Sequence, residues 1–517
     1  MGLKHLFIYF ILALCVFSLL GQINQPLRLE VELKREDNHY MVMSMKEKGI
    51  VLFRELEYIP ETRKKAWEVV KLDTVLQNVL TQNYYLDYKA ELLGYEYRAN
   101  HFYLLFRMGE YHKDDLKIIK INMDTGESVH FDIKQIVQVN LTEFTVIGNA
   151  ALLGGYVNYR PALIHYSFDT KKIKVLPGIY RNHSELIEVN IDETNNTFTV
   201  LLSERTRDKL STIAVKRFNA KGDLLLNTLL EPLPNSSILY GRTTSYSNQH
   251  QFIVGTYSHK RSQYSRGIYI ADLDPNTAEK PKITYFNYGD LKNFFNYMKA
   301  KRAARVKQRV ERRKVQGKKV RLNYRFMVHD IIKAKENFLM IGEAFYPKYG
   351  SGGYYGGYSY GPGAYGQIFE GYKYTHAVII AFDSDGKLVY DNSFEINDVL
   401  TYQLDQLVSI NVQDDKIVLL YTYEDIIRSK IIQGDEVLEG KAFNEIELAF
   451  EDDIVGNNNS EVSGLKAWYG DYFFAYGVQK IKNLRASGIE LRREVFYINK
   501  IVYSNDSDNA ETSAESH

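Results

Sequence analysis

Only one cysteine occurs in the chain, Cys15, and it lies inside the first apolar stretch. Once that stretch is removed, neither a disulfide framework nor thiol chemistry is open to the remainder. Tryptophan is nearly absent, with two residues, and proline is scarce, with ten. No apolar run after position 20 reaches the ~20 residues that a membrane helix requires. Charge of one sign is missing as well: 65 Lys and Arg against 64 Asp and Glu leave a net charge of +1, so the total says nothing about partners. The twelve histidines show no HxH or HExxH spacing, and no GxSxG elbow or phosphate-binding glycine loop occurs. No Asp-rich turn offers the ligand count of a calcium loop. Neither a metal nor a cofactor is therefore expected.

Tyrosine is abundant instead, with 41 residues, and it suits pleated, half-exposed strands. The first residues, MGLKHLFIYFILALCVFSLLGQ, place one lysine before an apolar run and Gly21 after it, the pattern of a secretory signal over 1–21. Export to a periplasm or cell surface follows as an expectation. At the other end, 504–517 is polar and acidic and is expected to be disordered.

Between these ends the chain repeats. Alternating apolar runs are joined by polar turns at Asp124-Thr125-Gly126, Asp169-Thr170, Lys221-Gly222, Asp274-Pro275-Asn276, Asp385-Gly386 and Gly434-Asp435. Asp, Asn and Gly are there because tight hairpins need positive φ or a side-chain bond to the backbone. Most of these turns lie about 45 to 55 residues apart, the length of one four-stranded propeller blade. The fold expected is all-β: a single β-propeller of seven or eight four-stranded blades over 22–503, with one inserted basic α-helix. The last repeat has three clear strands, and LRLEVEL near the N-terminus can supply its fourth, which removes exposed edges.

The stretch FEGYKYTHAVIIAFDSDGKLVYDNSFEI (369–396) and the leader ending LLGQ resemble uncharacterised secreted β-propeller-like proteins of Bacteroidota. The resemblance covers about thirty residues closely and implies a bacterial envelope setting, with no catalytic assignment. The turns also distantly resemble the Asp-boxes of sialidase-like propellers. Tryptophan is absent from every one of these turns and serine is misplaced, so that activity does not carry over.

Two segments break the repeat. The first, 290–324, contains KAKRAARVKQRVERRKVQGKKVR, with twelve basic residues and one acidic. A helix is expected over 291–316, with Phe295, Ala303, Val306 and Val310 on one face and Lys301, Arg305, Arg309 and Arg312 on the other. The remainder of the chain must then carry about ten negative charges. One alternative is that the helix lies on its own acidic propeller with its arginines solvated. The other is that it docks a protein, an anionic glycan or an anionic membrane surface. Nucleic acid is not expected of an exported chain. The second segment, 346–374, is a Gly/Tyr-rich loop in which Tyr354, Tyr355, Tyr358 and Tyr360 offer flat amphipathic surfaces. Because successive strands of a blade reverse direction, both insertions should emerge at the same end of the strands.

The nearest approach to a catalytic constellation is His329, Asp330, Glu343, Glu370 and His376, placed in one blade, with His329 and Asp330 expected to line the central channel. Two functions are therefore expected. The first is a non-enzymatic envelope propeller that binds a protein or anionic glycan through the face carrying the basic helix and the Gly/Tyr loop. The alternative is a polysaccharide hydrolase or lyase with its active site in the channel beneath that loop.

Overall fold

A computed structural model describes residues 22–504 apart from 35–36, 135–137, 246–249, 275–279, 319, 321, 352–366, 414, 457–462 and 484–491. The segment 1–21 expected as a signal, residues 505–517 of the expected tail, and Tyr354, Tyr355, Tyr358 and Tyr360 lie outside the described residues, while Ser504 ends the last strand. The protein is an eight-bladed β-propeller of antiparallel four-stranded sheets. It divides into two compact units, Met1–Tyr88 with Leu407–His517, and Lys89–Gln406. Among the described residues no helix is long and apolar enough to cross a membrane.

In the first unit, blade one spans four strands from Met41–Ser44 to Asn78–Asp87, and blade seven four from Ser409–Gln413 to Glu436–Glu445. Blade eight contains Ser463–Ala467, Tyr472–Asn483 and Arg492–Ser504. Its next strand is Gln22–Glu32, which pairs antiparallel with Arg492–Ser504 in a register that sets Leu29 opposite Ile498. The short strand Asp453–Val455 adds to the same sheet.

The second unit holds blades two to six. Their first strands are Glu91–Arg98, Asn140–Ile147, Glu185–Asp192, Ser236–Thr243 and Arg325–Val328. Second strands such as His101–Arg107 and Thr197–Arg205 are almost wholly buried. Sheets packed on both faces demand this continuous apolar run. Fourth strands such as Ser128–Ile133 alternate exposed and buried residues, because one face meets water. Four first strands carry a bulge at the same place, at Leu92/Gly94, Leu141/Glu143, Leu186/Glu188 and Ile238/Tyr240. At the last of these the backbones approach so closely that a Cβ on Gly255 would lie 1.9 Å from the Tyr240 carbonyl oxygen.

The basic helix is shorter than its apolar pattern suggests. It runs Ala300–Val315, here α1, rather than over 291–316. The reason is local. The backbone N–H groups of Lys292 and Asn293 donate to the two carboxylate oxygens of Asp391, both at 2.8 Å, and the Asn296 and Met298 N–H groups donate to the Asn293 and Phe295 carbonyls three residues back, closing separate turns in place of a continuous helix. The Gly/Tyr segment is likewise shorter as a loop than 346–374. Asn337–Ser351 and Gln367–Phe382 stay paired out to Ser351 and Gln367, setting Tyr346 opposite Lys373.

Candidate functional site: a basic, tyrosine-lined groove beside the inserted helix

The linker between blades five and six builds the site. It leaves Lys282–Asn287, makes one short helical turn at Tyr288–Asp290, and crosses blade six. Asp391 holds it there through the Lys292 and Asn293 amides, and Ser393 Oγ donates to the Asn293 carbonyl at 3.0 Å. Burial pushes the Asp391 carboxyl up, while the amide donors of Asn293 and Lys292 work against that shift. Tyr288 and Phe294 are buried and stack at 4.6 Å, and the Tyr288 hydroxyl meets Ser265 Oγ at 2.6 Å.

Helix α1 then runs over this platform. Its apolar residues Ala303, Val306 and Val310 are buried in one cluster with Phe294, Phe295, Phe252, Phe338 and Phe382. Gly317, at φ +62°, ends the helix, and Lys318 N–H donates back to the Arg313 carbonyl, a left-handed C-terminal cap. Lys314 reaches Asp290 at 2.9 Å, and Lys307 donates to the Lys292 carbonyl at 3.1 Å. These two lysines fasten the helix down. Lys301, Arg305, Arg309 and Arg312 are exposed and make no ion pair among the described residues. The helix therefore sits on its own blade with its apolar stripe down, and its arginines face outward.

A groove of roughly 900 Å³ opens along the flank of α1. Arg302, Arg305, Arg309 and Arg313 line it from the helix, with Lys299 before them and Arg325 and Lys373 from the blade. Tyr264, Tyr297, Tyr324 and Tyr346 supply its aromatic surface over the buried Tyr374, and Glu395 and Asp398 are the acids among its described lining. Seven cations against two carboxylates create a field that attracts anions. Four tyrosines supply flat faces with hydroxyl tips, suited to rings that are apolar on one side and hydroxylated at the edge.

Below the groove the aromatic floor is rigid. Tyr297 stacks on His376 with centroids 3.6 Å apart and planes 2° from parallel, and its hydroxyl lies 3.0 Å from that of Tyr324. Phe294, Tyr324 and Phe326 present their edges or faces around the imidazole. Thr375 Oγ1 lies 3.2 Å from the Ala344 carbonyl oxygen and 2.9 Å from His376 Nδ1, which holds the imidazole in place. Among the described residues the buried Nε2 has no hydrogen-bond partner. Burial lowers the His376 pKa to about 3, and the ring is neutral.

The five residues singled out as a constellation do not converge. His329 Nε2 and Glu343 Oε1 meet at 2.9 Å inside blade six, both buried. His376 lies opposite Ala344 in the register, so it points to the other face of the sheet from Glu343. Glu370 pairs with Lys348 at 2.7 Å on the extended hairpin. Asp330 is 83% exposed and lies 3.5 Å from Arg242 Nε.

Asp330 leads to a cluster that spacing did not reveal. Arg242 Nη1 also lies 3.5 Å from Glu188, whose other oxygen accepts from the Thr243 amide and hydroxyl at 2.9 and 2.8 Å. Burial raises the Glu188 pKa to about 7, against the opposing pull of Arg242 and Thr243. Glu143 sits at the equivalent bulge of blade three, and burial raises its carboxyl too. Aligning the first strands by Leu141-Thr142-Glu143 and Leu186-Ile187-Glu188 would have exposed the repeat.

Glu188 and His376 give stability opposite pH dependences. A raised carboxyl favours the folded state fully below about pH 4.5 and loses that contribution as pH rises through about 7. A lowered imidazole contributes fully above about pH 6.5 and loses its contribution as pH falls through about 3. The two oppose each other between these windows. Replacing Glu188→Gln keeps an acceptor for Thr243. It should raise the unfolding free energy at pH 8 by up to about 3 kcal/mol and change little at pH 4. Urea unfolding at both pH values checks this, and an equal shift at both would contradict it.

No family model matches the chain, and no curated protein sequence matches it. Solved structures align with it at low similarity. A prolyl endopeptidase aligns over 80% of this chain and 50% of its own, at TM-score 0.39 and 8% identity, so the chain spans half the length of that protein. Polysaccharide lyase Uly1 aligns over 92% of this chain and all of its own, at TM-score 0.38 and 10% identity. The β-propeller domain of the Trilobed protease from Pyrococcus furiosus aligns over 78% and 97%, at TM-score 0.36 and 10% identity. At these values the alignments carry no inference about activity.

Proposed function

We propose that this chain is an exported, non-enzymatic propeller that binds a carboxylated glycan in the groove beside α1. The observation that carries the reading is the lining itself: five of its seven cations are arginines, interleaved with four accessible tyrosines. A guanidinium grips a carboxylate with two parallel hydrogen bonds, and a tyrosine face packs against a sugar ring while its hydroxyl stays wet. A protein partner would be expected to bury an apolar centre, whereas the apolar residues of α1 are already buried against its own blade.

Titration of the intact chain with polygalacturonate tests the proposal, with neutral dextran as control. Binding to the first alone is expected, weakening about tenfold as salt rises from ~0.05 to ~0.5 M. Equal binding of dextran, or none of polygalacturonate, would overturn it. One observation favours the second reading, an enzyme acting on such a polymer: Glu188, with its pKa raised to about 7, shares Arg242 with Asp330, and a general acid works best at such a pKa. Release of shorter chains during the same titration, abolished by Glu188→Gln, would move the function to that reading.

A further inference from the structure

The turn joining the second and third strands of blade three is two residues long, Asn158 and Tyr159, both in the left-handed region at φ +48° and +63°. Such a turn matches the twist of the hairpin but demands residues that tolerate positive φ. Asn158 does. Tyr159 does not, because a bulky side chain at positive φ crowds its own backbone. Two other turns of this geometry hold Asn100 and Asp425 in that second position, residue types whose short polar side chains ease the strain. Blade three instead carries a tyrosine there, 97% exposed. Local stability is lost twice, by backbone strain and by an aromatic ring left in water. A local rule broken with no folding gain marks a functional position.

Tyr159 lines a cleft of roughly 550 Å³, which shares His183, Ser184 and Arg205 with an adjoining one of roughly 650 Å³. Arg181 and Lys209 line the larger, and Tyr156 lines the smaller beside Tyr159. Glu204 fixes Arg181 through two contacts at 3.0 and 2.9 Å, and the Tyr156 hydroxyl accepts from the Leu186 amide at 3.1 Å. The chemistry repeats that of the groove: arginine and lysine beside tyrosine rings. Topology puts the two at one end of the strands. The Asn158-Tyr159 turn joins second to third strands, and 176–184 joins a fourth strand to the next first strand. Segment 288–324, which carries α1, is the corresponding connection two blades on. Antiparallel strands bring these two kinds of connection to the same end.

We infer that the clefts beside Tyr159 form a second subsite for the same anionic polymer, with Tyr159 stacking on a sugar ring and Arg205 and Lys209 meeting its carboxylates. The inference rests on the groove binding a carboxylated glycan. A chain long enough to occupy both subsites would gain avidity that a short oligomer cannot.

The test compares galacturonate oligomers of about four and about twenty units on the intact chain. Tyr159→Gly removes the ring and relieves the backbone, so its thermal midpoint should not fall. It should bind the long oligomer about tenfold more weakly and the short one as wild type does. Arg205→Ala with Lys209→Ala should do the same. If both variants bind the long oligomer like wild type, the second subsite is overturned. If Arg305→Glu with Arg309→Glu leaves the short oligomer's affinity unchanged, it is the groove reading that fails, and the long-oligomer comparison still decides the second subsite.

Discussion

Replacing Phe294→Ala should destabilise the protein by about 3–5 kcal/mol, the range for emptying a buried aromatic site. The ring is fully buried. It stacks on Tyr288 and meets Phe295, Tyr324 and His376 edge-on at 5.1, 5.2 and 5.6 Å. Neighbours with fixed partners cannot collapse into the space: the Tyr288 hydroxyl is tied to Ser265 and that of Tyr297 to Tyr324. The vacated space also lies against His376, whose Nε2 is unpartnered among the described residues. Water entering there would hydrate the imidazole and move its pKa from about 3 back toward its ordinary value of 6.5. Denaturant unfolding gives the first effect and a histidine titration followed by NMR the second. A loss below about 1 kcal/mol would mean that Phe294 does not anchor the linker.

Charge reversal on α1 should move stability and binding in opposite directions. Lys301, Arg305, Arg309 and Arg313 follow one another at four-residue spacing, and each like-charged pair costs an isolated helix about 0.2–0.5 kcal/mol. Arg305→Glu with Arg309→Glu converts the two outer repulsions into attractions with Lys301 and Arg313 and leaves the inner pair like-charged, now acidic. Unfolding free energy should therefore stay level or rise by a few tenths to about 1 kcal/mol. Affinity for polygalacturonate should fall about a hundredfold, about 3 kcal/mol, because two charge-assisted contacts are lost and two repulsions replace them. A row of cations that weakens its own helix is what a binding surface requires and a merely structural helix does not. Loss of stability together with binding would instead point to a helix that has come off its blade.

The propeller was legible because its evidence is periodic. Turns at Asp169 and Lys221, and the alternation in Ser128–Ile133, report strands wherever they occur. The apolar face of α1 was legible for the same reason: Ala303, Val306 and Val310 recur at helical spacing and are buried together. What sequence could not show were contacts between distant elements. Asp391 lies about a hundred residues from the amides it holds in the linker that precedes α1. Paired strands, invisible in the composition of 346–374, reduce the loop to its middle. His376 and Glu343 looked adjacent along the blade, yet strand alternation sends them to opposite faces. Glu188 and Arg242 stand on the first strands of two successive blades, and only the fold brings them to 3.5 Å.

The most direct measurement is a crystal structure of the chain with a short galacturonate oligomer. The account predicts saccharide density along the flank of α1, with carboxylates on Arg305 and Arg309 and a sugar ring against Tyr297 or Tyr346. Density confined to the Glu188–Arg242 cluster, or an empty groove at saturating oligomer, would contradict it.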